Sequence, residues 1–189
     1  MKVPGIPGER VRLVPLDRTL HLENYLIWLN DPEVTRWLKV VLPISRLGEE
    51  KWFERLARSR HDIVWAVHDE HDRHIGGTGI HRIDWRNRNG LTGTVIGPKE
   101  VWGKGYGTDI MRARTCWAFE ELGMHRLESS CLEGNEASRR CLERIGYRQI
   151  GVARQRFWRG GRWRDLLLYE ILDEDWFARA AEKATAPKA

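Results

Sequence analysis

The chain has 189 residues, 41% of them hydrophobic and 31% charged, which fits one soluble domain with a core of its own. It holds no run of 18 apolar residues, and Met1 to Gly8 lacks the apolar stretch of a signal peptide, so the expectation is a cytoplasmic protein with no membrane partner. The net charge of +5 rests on 25 Arg and only 7 Lys, and the three cysteines, Cys116, Cys131 and Cys141, lack CxxC spacing, which argues against a disulfide framework or a structural metal.

Val11 to Leu16 reads as a first strand, and Asp17 stands where a helix N-cap would. Leu22, Tyr25, Leu26 and Leu29 recur at i, i+3, i+4 and i+7, the spacing of one helix face. Asn30-Asp31-Pro32 ends that helix, with Pro32 suited to the first turn of a short second one. Ser45 can cap a third, carrying Trp52, Phe53 and Leu56. Strands are expected at Ile63 to Val67, Ile75 to Ile83 and Leu91 to Gly97, joined by a polar turn at His71 to His74 and a loop from Asp84 to Gly90. Past Gly107 the period becomes helical through Ile110, Met111, Trp117, Ala118 and Leu122, with Gly123 behind as a C-cap. A strand from His125 to Leu132 and a helix from Asn135 to Ile145, closed by Gly146, come next. A strand from Tyr147, a Gly160-Gly161 turn and a strand from Trp163 to Leu172 follow. Asp173 caps a terminal helix, and Ala184 to Ala189 reads as a frayed end. Strands and helices mix without strict alternation, so the class is α+β, or mixed α/β, around one central sheet. One domain covers 1–189, with its core over 9–177 and a tail over 178–189.

The most informative segment is Trp102-Gly103-Lys104-Gly105-Tyr106-Gly107-Thr108, which follows a strand and opens a helix. Glycines let a backbone approach a ligand closely, and the free N–H groups of a first helical turn favour an anion such as a pyrophosphate. A Rossmann reading fails, because the strand lies behind antiparallel hairpins and no acidic residue closes a following strand at the required distance. A Walker A reading fails because Lys104 sits inside the glycines. About thirty residues on come Asn135-Glu136-Ala137-Ser138, then Gly146-Tyr147 behind the helix.

Together the two segments resemble the acyl-CoA motifs of the GCN5-related N-acetyltransferase superfamily, a Q/R-x-x-G-x-G/A loop and an N-x-x-[AS] helix start followed by Gly-Phe. Trp102 stands here where many members have Gln or Arg. Arg12 to Leu16 and Trp28 to Val34 resemble the branch of the ribosomal-protein N-terminal acetyltransferases, the RimJ/RimL-like enzymes. The resemblance covers roughly residues 9–177. It implies a mostly antiparallel sheet splayed between the fourth and fifth strands, flanked by helices on both faces, with acetyl-CoA in the gap.

On that resemblance Thr94, Val95 and Ile96 occupy the splayed strand, where unpaired backbone groups hold the pantetheine amides and one N–H polarises the thioester carbonyl. Gly103 to Thr108 cradle the pyrophosphate, and Asn135 bonds the pantetheine arm. The tyrosine that many members use to protonate the leaving thiolate is missing, since Leu142 holds its place; the branch's serine is matched by Ser138. Cys131, at the end of the preceding strand, is placed near the thiol and is equally suited to the core. The amine needs a base, for which His81, Asp84 and Glu128 are the candidates. No metal is implied.

The segment 152–161 lacks the carboxylate that some branch members carry there and holds Arg154, Arg156 and Arg159 instead, with Arg162 and Arg164 next. If strand alternation holds, Arg154 and Arg156 face Arg162 and Arg164 across the hairpin and form an acceptor-side clamp for carboxylate or phosphate. The expectation is direct acetyl transfer in a ternary complex to a primary amine, either an acidic acceptor or a protein N-terminus, or a small amine such as an amino acid, polyamine, amino sugar or antibiotic. The rival readings are a non-catalytic acyl-CoA sensor and a nucleic-acid module, the latter disfavoured because 27 acidic residues dilute the positive charge. Ten tryptophans should serve as core or interface anchors, and a homodimer is one outcome.

Overall fold

The computed structural model describes residues 4–185. Among them one sheet is built from β1 (Ile6–Pro7), β2 (Val11–Pro15), β3 (Ile63–Asp69), β4 (His74–Asp84), β5 (Asn89–Ile96), β6 (Arg126–Leu132), β7 (Arg148–Arg159) and β8 (Arg162–Leu172). The helices are α1 (Arg18–Leu29), α2 (Pro32–Thr35), α3 (Arg46–Arg58), α4 (Tyr106–Glu120), α5 (Glu136–Ile145) and α6 (Asp173–Thr185). The strands lie in the order β1-β2-β3-β4-β5-β6-β8-β7, and every neighbouring pair is antiparallel except β5 and β6. Parallel neighbours need a crossover, which α4 supplies. The expected α+β architecture is therefore present. The two-residue β1, which sequence periodicity is too short to reveal, shifts the labels, so the expected fourth and fifth strands are β5 and β6. Ala184 and Thr185 belong to α6 rather than to a frayed end, and residues 186–189 lie outside the described residues. No helix among the described residues is long and apolar enough to cross a membrane.

Helix starts follow local chemistry. The Asp17 side chain accepts from the Leu20 N–H, Asp31 from Glu33 and Ser45 from Gly48, each satisfying a donor the helix itself leaves open. The main core lies between one sheet face and α4 and α5, with Leu13, Val67, Ile80, Ile110, Leu142 and Ile145 in it. On the other face α1 and α3 pack Leu22, Tyr25, Trp28 and Phe53 beside Val95. Trp28 thus joins the inner stripe of α1, while Leu26 and Leu29 are only partly covered. Helix α1 lies almost on the backbone of β4 and β5. A Cβ at Gly97 would stand 1.8 Å from the Trp28 ring, and one at Gly77 would stand 2.0 Å from the Tyr25 hydroxyl. Glycine weakens a strand, and here it makes room for the helix.

Three histidines pin α1 to this face. The Asp17 N–H donates to His21 Nδ1, so His21 Nε2–H donates to His68 Nε2 at 3.1 Å, and His68 Nδ1–H donates to Asp72. The His74 ring meets His21 edge-on at 4.5 Å between centroids and lies tilted against Trp28 at 4.7 Å. Burial, with His21 and His68 alongside, lowers the His74 pKa from 6.5 to about 3, and burial lowers His21 in the same direction. The unfolded chain therefore binds protons here that the folded one refuses, and stability falls as pH drops from 6.5 toward 3. We expect unfolding free energy to fall by about 1.4 kcal/mol per pH unit for His74 alone across that window. Urea titrations from pH 7 to 5 should show this slope, reduced in His74→Phe. An equal slope in that variant would remove His74 as its source.

Candidate active site

Strands β5 and β6 pair only at their start, through Asn89 with Arg126, Gly90 with Leu127 and Leu91 with Glu128. Beyond that the Thr92 hydroxyl reaches the Glu128 carbonyl at 2.9 Å, and the strands part. The backbone alternation shows which groups face the gap. Gly97 N–H donates to Ile75 on β4, so the N–H and C=O groups of Thr94 and Ile96 point away from β4. Val95 is turned to β4, and its side chain packs with α1 and α3, so of the three residues expected to line the gap it does not offer its backbone there. The Ile96 carbonyl is capped by the indole N–H of Trp102 at 3.1 Å. Arg114 of α4, fully buried, donates to Thr94 Oγ1 and to the Gly93 carbonyl and holds β5 from beneath.

The glycine segment opens α4 beside this gap. Gly103 and Gly105 have φ of 73° and 91°, and a side chain at either would meet nothing within 4 Å. Gly105 is the N-cap and carries no side-chain cap. The helix ladder begins with Thr108 and Asp109 donating to the Gly105 carbonyl, so the N–H groups of Tyr106 and Gly107 stand ahead of it. The Tyr106 side chain is turned inward, its hydroxyl on Glu70 and its ring under Arg10, while the Lys104 carbonyl accepts from Arg10. Gly107 faces α5 and β5: a Cβ there would lie 3.4 Å from Cys141 Sγ and 3.6 Å from Ile96. The Thr108 hydroxyl also contacts Cys141 Sγ, at 3.3 Å. An uncapped helix N-terminus next to an unpaired strand edge suits a ligand with a pyrophosphate at one end and amides along its length, which is the shape of a CoA.

Asn135 caps α5, its Oδ1 accepting from the Ser138 N–H at 3.2 Å. That leaves the Asn135 NH₂ and the Ser138 hydroxyl without a protein partner among the described residues. Ser138 is half-buried on the first turn of α5. Leu142 is fully buried in the main core, so no phenol occupies that position. Cys131 is buried in the same core, and burial pushes its thiol up to about 11. It packs there as a small apolar group, with little thiolate for disulfide chemistry.

Of the base candidates, His81 is the one the structure orients. Its Nδ1 lies 3.0 Å from Asp62 Oδ1. Burial alone would raise the Asp62 carboxyl, but hydrogen bonds from Ser59 and His81 bring it below the usual carboxylate range. An ionised Asp62 fixes the proton on Nδ1 and leaves the Nε2 lone pair free. That nitrogen lies over Gly79, 2.9 Å from where a Cβ would stand, on the α1 face of the sheet. The Asp84 carboxylate is engaged in a turn, accepting from the Arg86 and Asn87 N–H groups and the Asn87 side chain. Glu128 is held by Arg126. Asp62, which holds the His81 ring, is not signalled by the sequence pattern, because it lies outside both motifs.

The arginine hairpin departs from the expected register. Phe157 stands opposite Arg164, Trp158 opposite Trp163 and Arg159 opposite Arg162. The two-residue turn thus gives Arg162 and Arg164 other partners than Arg154 and Arg156, and a bulge between Ala153 and Phe157, with Gln155 at φ 50°, takes those two out of the ladder as well. Asp165 stabilises the bulge by accepting the Gln155 N–H at 2.8 Å. Arg159 instead donates to the carbonyls of Leu38 and Val40, tying the hairpin to the loop after α2. Lys39, between those two residues, places Nζ 3.1 Å from Ser130 Oγ on β6. Lys39 lies in a stretch without periodicity and escapes sequence reading.

Known proteins share this arrangement. The family model described as an acetyltransferase (GNAT) domain matches residues 10–148. YdaF of Bacillus subtilis (strain 168), provisionally named a ribosomal N-acetyltransferase, is 38% identical over 101 residues, 53% of this chain and 55% of YdaF; the match spans little more than half the relative's length. YoaA of the same strain, named an uncharacterized N-acetyltransferase, is 28% identical over 64% of this chain and 68% of its own. Among solved structures, a GCN5-related N-acetyltransferase from Brucella melitensis is 27% identical, with a TM-score of 0.76 over 99% of this chain and 87% of that one. A spermidine N-acetyltransferase from Vibrio cholerae, in complex with CoA and spermine, is 18% identical with a TM-score of 0.82 over 90% and 99%, a likeness of fold.

Proposed function

The chain belongs to the GNAT acetyltransferase domain family, and from that membership we propose that it moves an acetyl group from acetyl-CoA directly to a primary amine. The observation that carries this reading is the parting of β5 from β6 beside the uncapped start of α4. When bound, acetyl-CoA supplies a thioester carbonyl open to attack by an amine. The Tyr106 and Gly107 N–H groups would hold the pyrophosphate, and the Thr94 N–H and C=O together with the Ile96 N–H would take the pantetheine amides. Asn135 NH₂ donates to the same arm. His81 Nε2 accepts the proton that the amine must lose, with Asp62 fixing the ring. Ser138 Oγ would relay a proton to the leaving thiolate, giving up its own and taking one back from solvent. The provisional name of YdaF makes a protein N-terminus the first acceptor to test, with a small amine second.

Direct transfer requires both substrates on the protein at once. Initial rates with both concentrations varied should give intersecting reciprocal plots; parallel lines would mean an acetylated protein intermediate. Ser138→Ala should lower kcat by roughly 10²-fold and leave the KM for acetyl-CoA nearly unchanged. A variant with normal kcat would return the serine to its place in the first turn of α5.

A further inference from the structure

We infer that the acceptor amine carries an anionic oxygen group, a carboxylate or a phosphate, held by Lys39, Arg156 and Arg164 on the α1 face of the splayed sheet. The inference rests on the acetyl-transfer reading, because it takes the free half of β6 as the wall along which the amine is presented.

Ser130 lies two residues past the last pairing of β6 with β5, on the splayed half. Leu127 and Cys131 point into the α4-side core, so the alternating Ser130 points to the α1 face, where His81 also lies. The Lys39 ammonium is on that hydroxyl, and its position is fixed from both sides by Arg159 on the Leu38 and Val40 carbonyls. Arg164 reaches the same region. It shares a strand face with Leu166 and Leu168, which stand opposite Leu132 and Ser130. Its guanidinium lies 5.9 Å from the Trp37 ring and beside Gly134, where a Cβ would be 3.6 Å from Nη1. Packed surroundings, and Arg156 close by, hold the Lys39 ammonium below its usual pKa.

Among the described residues none of these three cations has a carboxylate partner within ion-pair reach. Glu128 is engaged with Arg126 and Asp165 with the Gln155 N–H, while Glu133, beside Gly134, forms no ion pair with Arg164. Arg164 Nε is buried with no hydrogen-bond partner at all. Like charges gathered without a counter-ion repel, and a buried guanidinium N–H without an acceptor is costly. An anion entering between them relieves both, with charge-assisted hydrogen bonds from a fixed fork. The bulge at Gln155 takes Arg156 out of the ladder, on the strand whose Arg159 is tied to the carbonyls on either side of Lys39.

The experiment compares kcat/KM for acetyl transfer within matched pairs. These are phosphoethanolamine with ethanolamine, β-alanine with its amide, and a Ser-Asp-Glu peptide with Ser-Asn-Gln; spermidine is the cationic control. The acidic member should exceed its partner by about 10-fold or more in about 0.1 M salt, and the gap should narrow toward about 1 M, where the screening length falls from about 10 Å to about 3 Å. The pair with the largest ratio distinguishes a small molecule from a peptide. In a Lys39→Gln, Arg164→Gln double variant the ratio should approach one. If no amine of the panel is acetylated, calorimetry with inorganic phosphate on the CoA-saturated protein reads the same cluster; binding to the parent and its loss in the double variant are expected. Preference for spermidine or for the neutral partners, or no phosphate binding, overturns the inference. Failure to bind CoA is a separate outcome and sinks the acetyl-transfer reading instead.

Discussion

Gly105→Glu should weaken CoA binding by about 100-fold or more while leaving the fold intact. The new carboxylate would stand at the N-terminus of α4, where the helix dipole and the free N–H groups hold an anion. It would occupy the pyrophosphate's place and repel what it does not exclude. Space is not the obstacle, because a Cβ at Gly105 meets nothing within 4 Å. The backbone is one cost, since φ of 91° lies where side chains strain by roughly 1–2 kcal/mol. A carboxylate at a helix start offsets about 0.3–1 kcal/mol of that. Gly105→Ala separates the two effects: it carries the strain without the charge and should lose far less affinity. Calorimetric titration with CoA measures both, and undiminished affinity in Gly105→Glu would remove the loop from the mechanism.

His81→Gln should lower kcat by about 10²- to 10³-fold, within the range of general-base catalysis, with little change in the KM for acetyl-CoA. Glutamine keeps a polar group over Gly79 but cannot take the amine's proton. Asp62→Asn should act through the ring: the fold and CoA affinity stay, and kcat falls by less than in His81→Gln, because the imidazole loses the carboxylate that fixes its proton on Nδ1. A merely structural pair would lower stability and leave the kcat of the folded variants unchanged. Normal kcat in His81→Gln would pass the proton to Glu128 or to water.

The cofactor side was legible because it is written in local signals. Three glycines ahead of a helix and an asparagine N-cap ahead of another need only a few residues of context, and both stand where the sequence puts them. The acceptor side depends on long-range register and was less legible. The two-residue Gly160-Gly161 turn pairs Arg159 with Arg162 and Phe157 with Arg164, which sets Arg154 and Arg156 out of step with Arg162 and Arg164, and a bulge without glycine or proline to announce it then lifts them out of the ladder. Lys39 and Asp62 meet the site from a loop and a strand approach far away in sequence, and neither carries a motif. Trp102 reads as a departure from a pattern, yet in the fold its indole caps the Ile96 carbonyl at the end of the gap. The histidine chain of His21, His68 and His74 is spread across α1, β3 and β4, so only the pairing of those elements reveals it.

Thiol release from acetyl-CoA, followed with and without an amine, tests the central claim most directly. The account predicts that free CoA appears at a rate that depends on the amine, that an equal amount of N-acetylated product forms, and that Gly105→Glu and His81→Gln slow both by about 100-fold or more. CoA that binds firmly but is never released by peptides or small amines of any charge would contradict it and leave the protein a sensor of acyl-CoA.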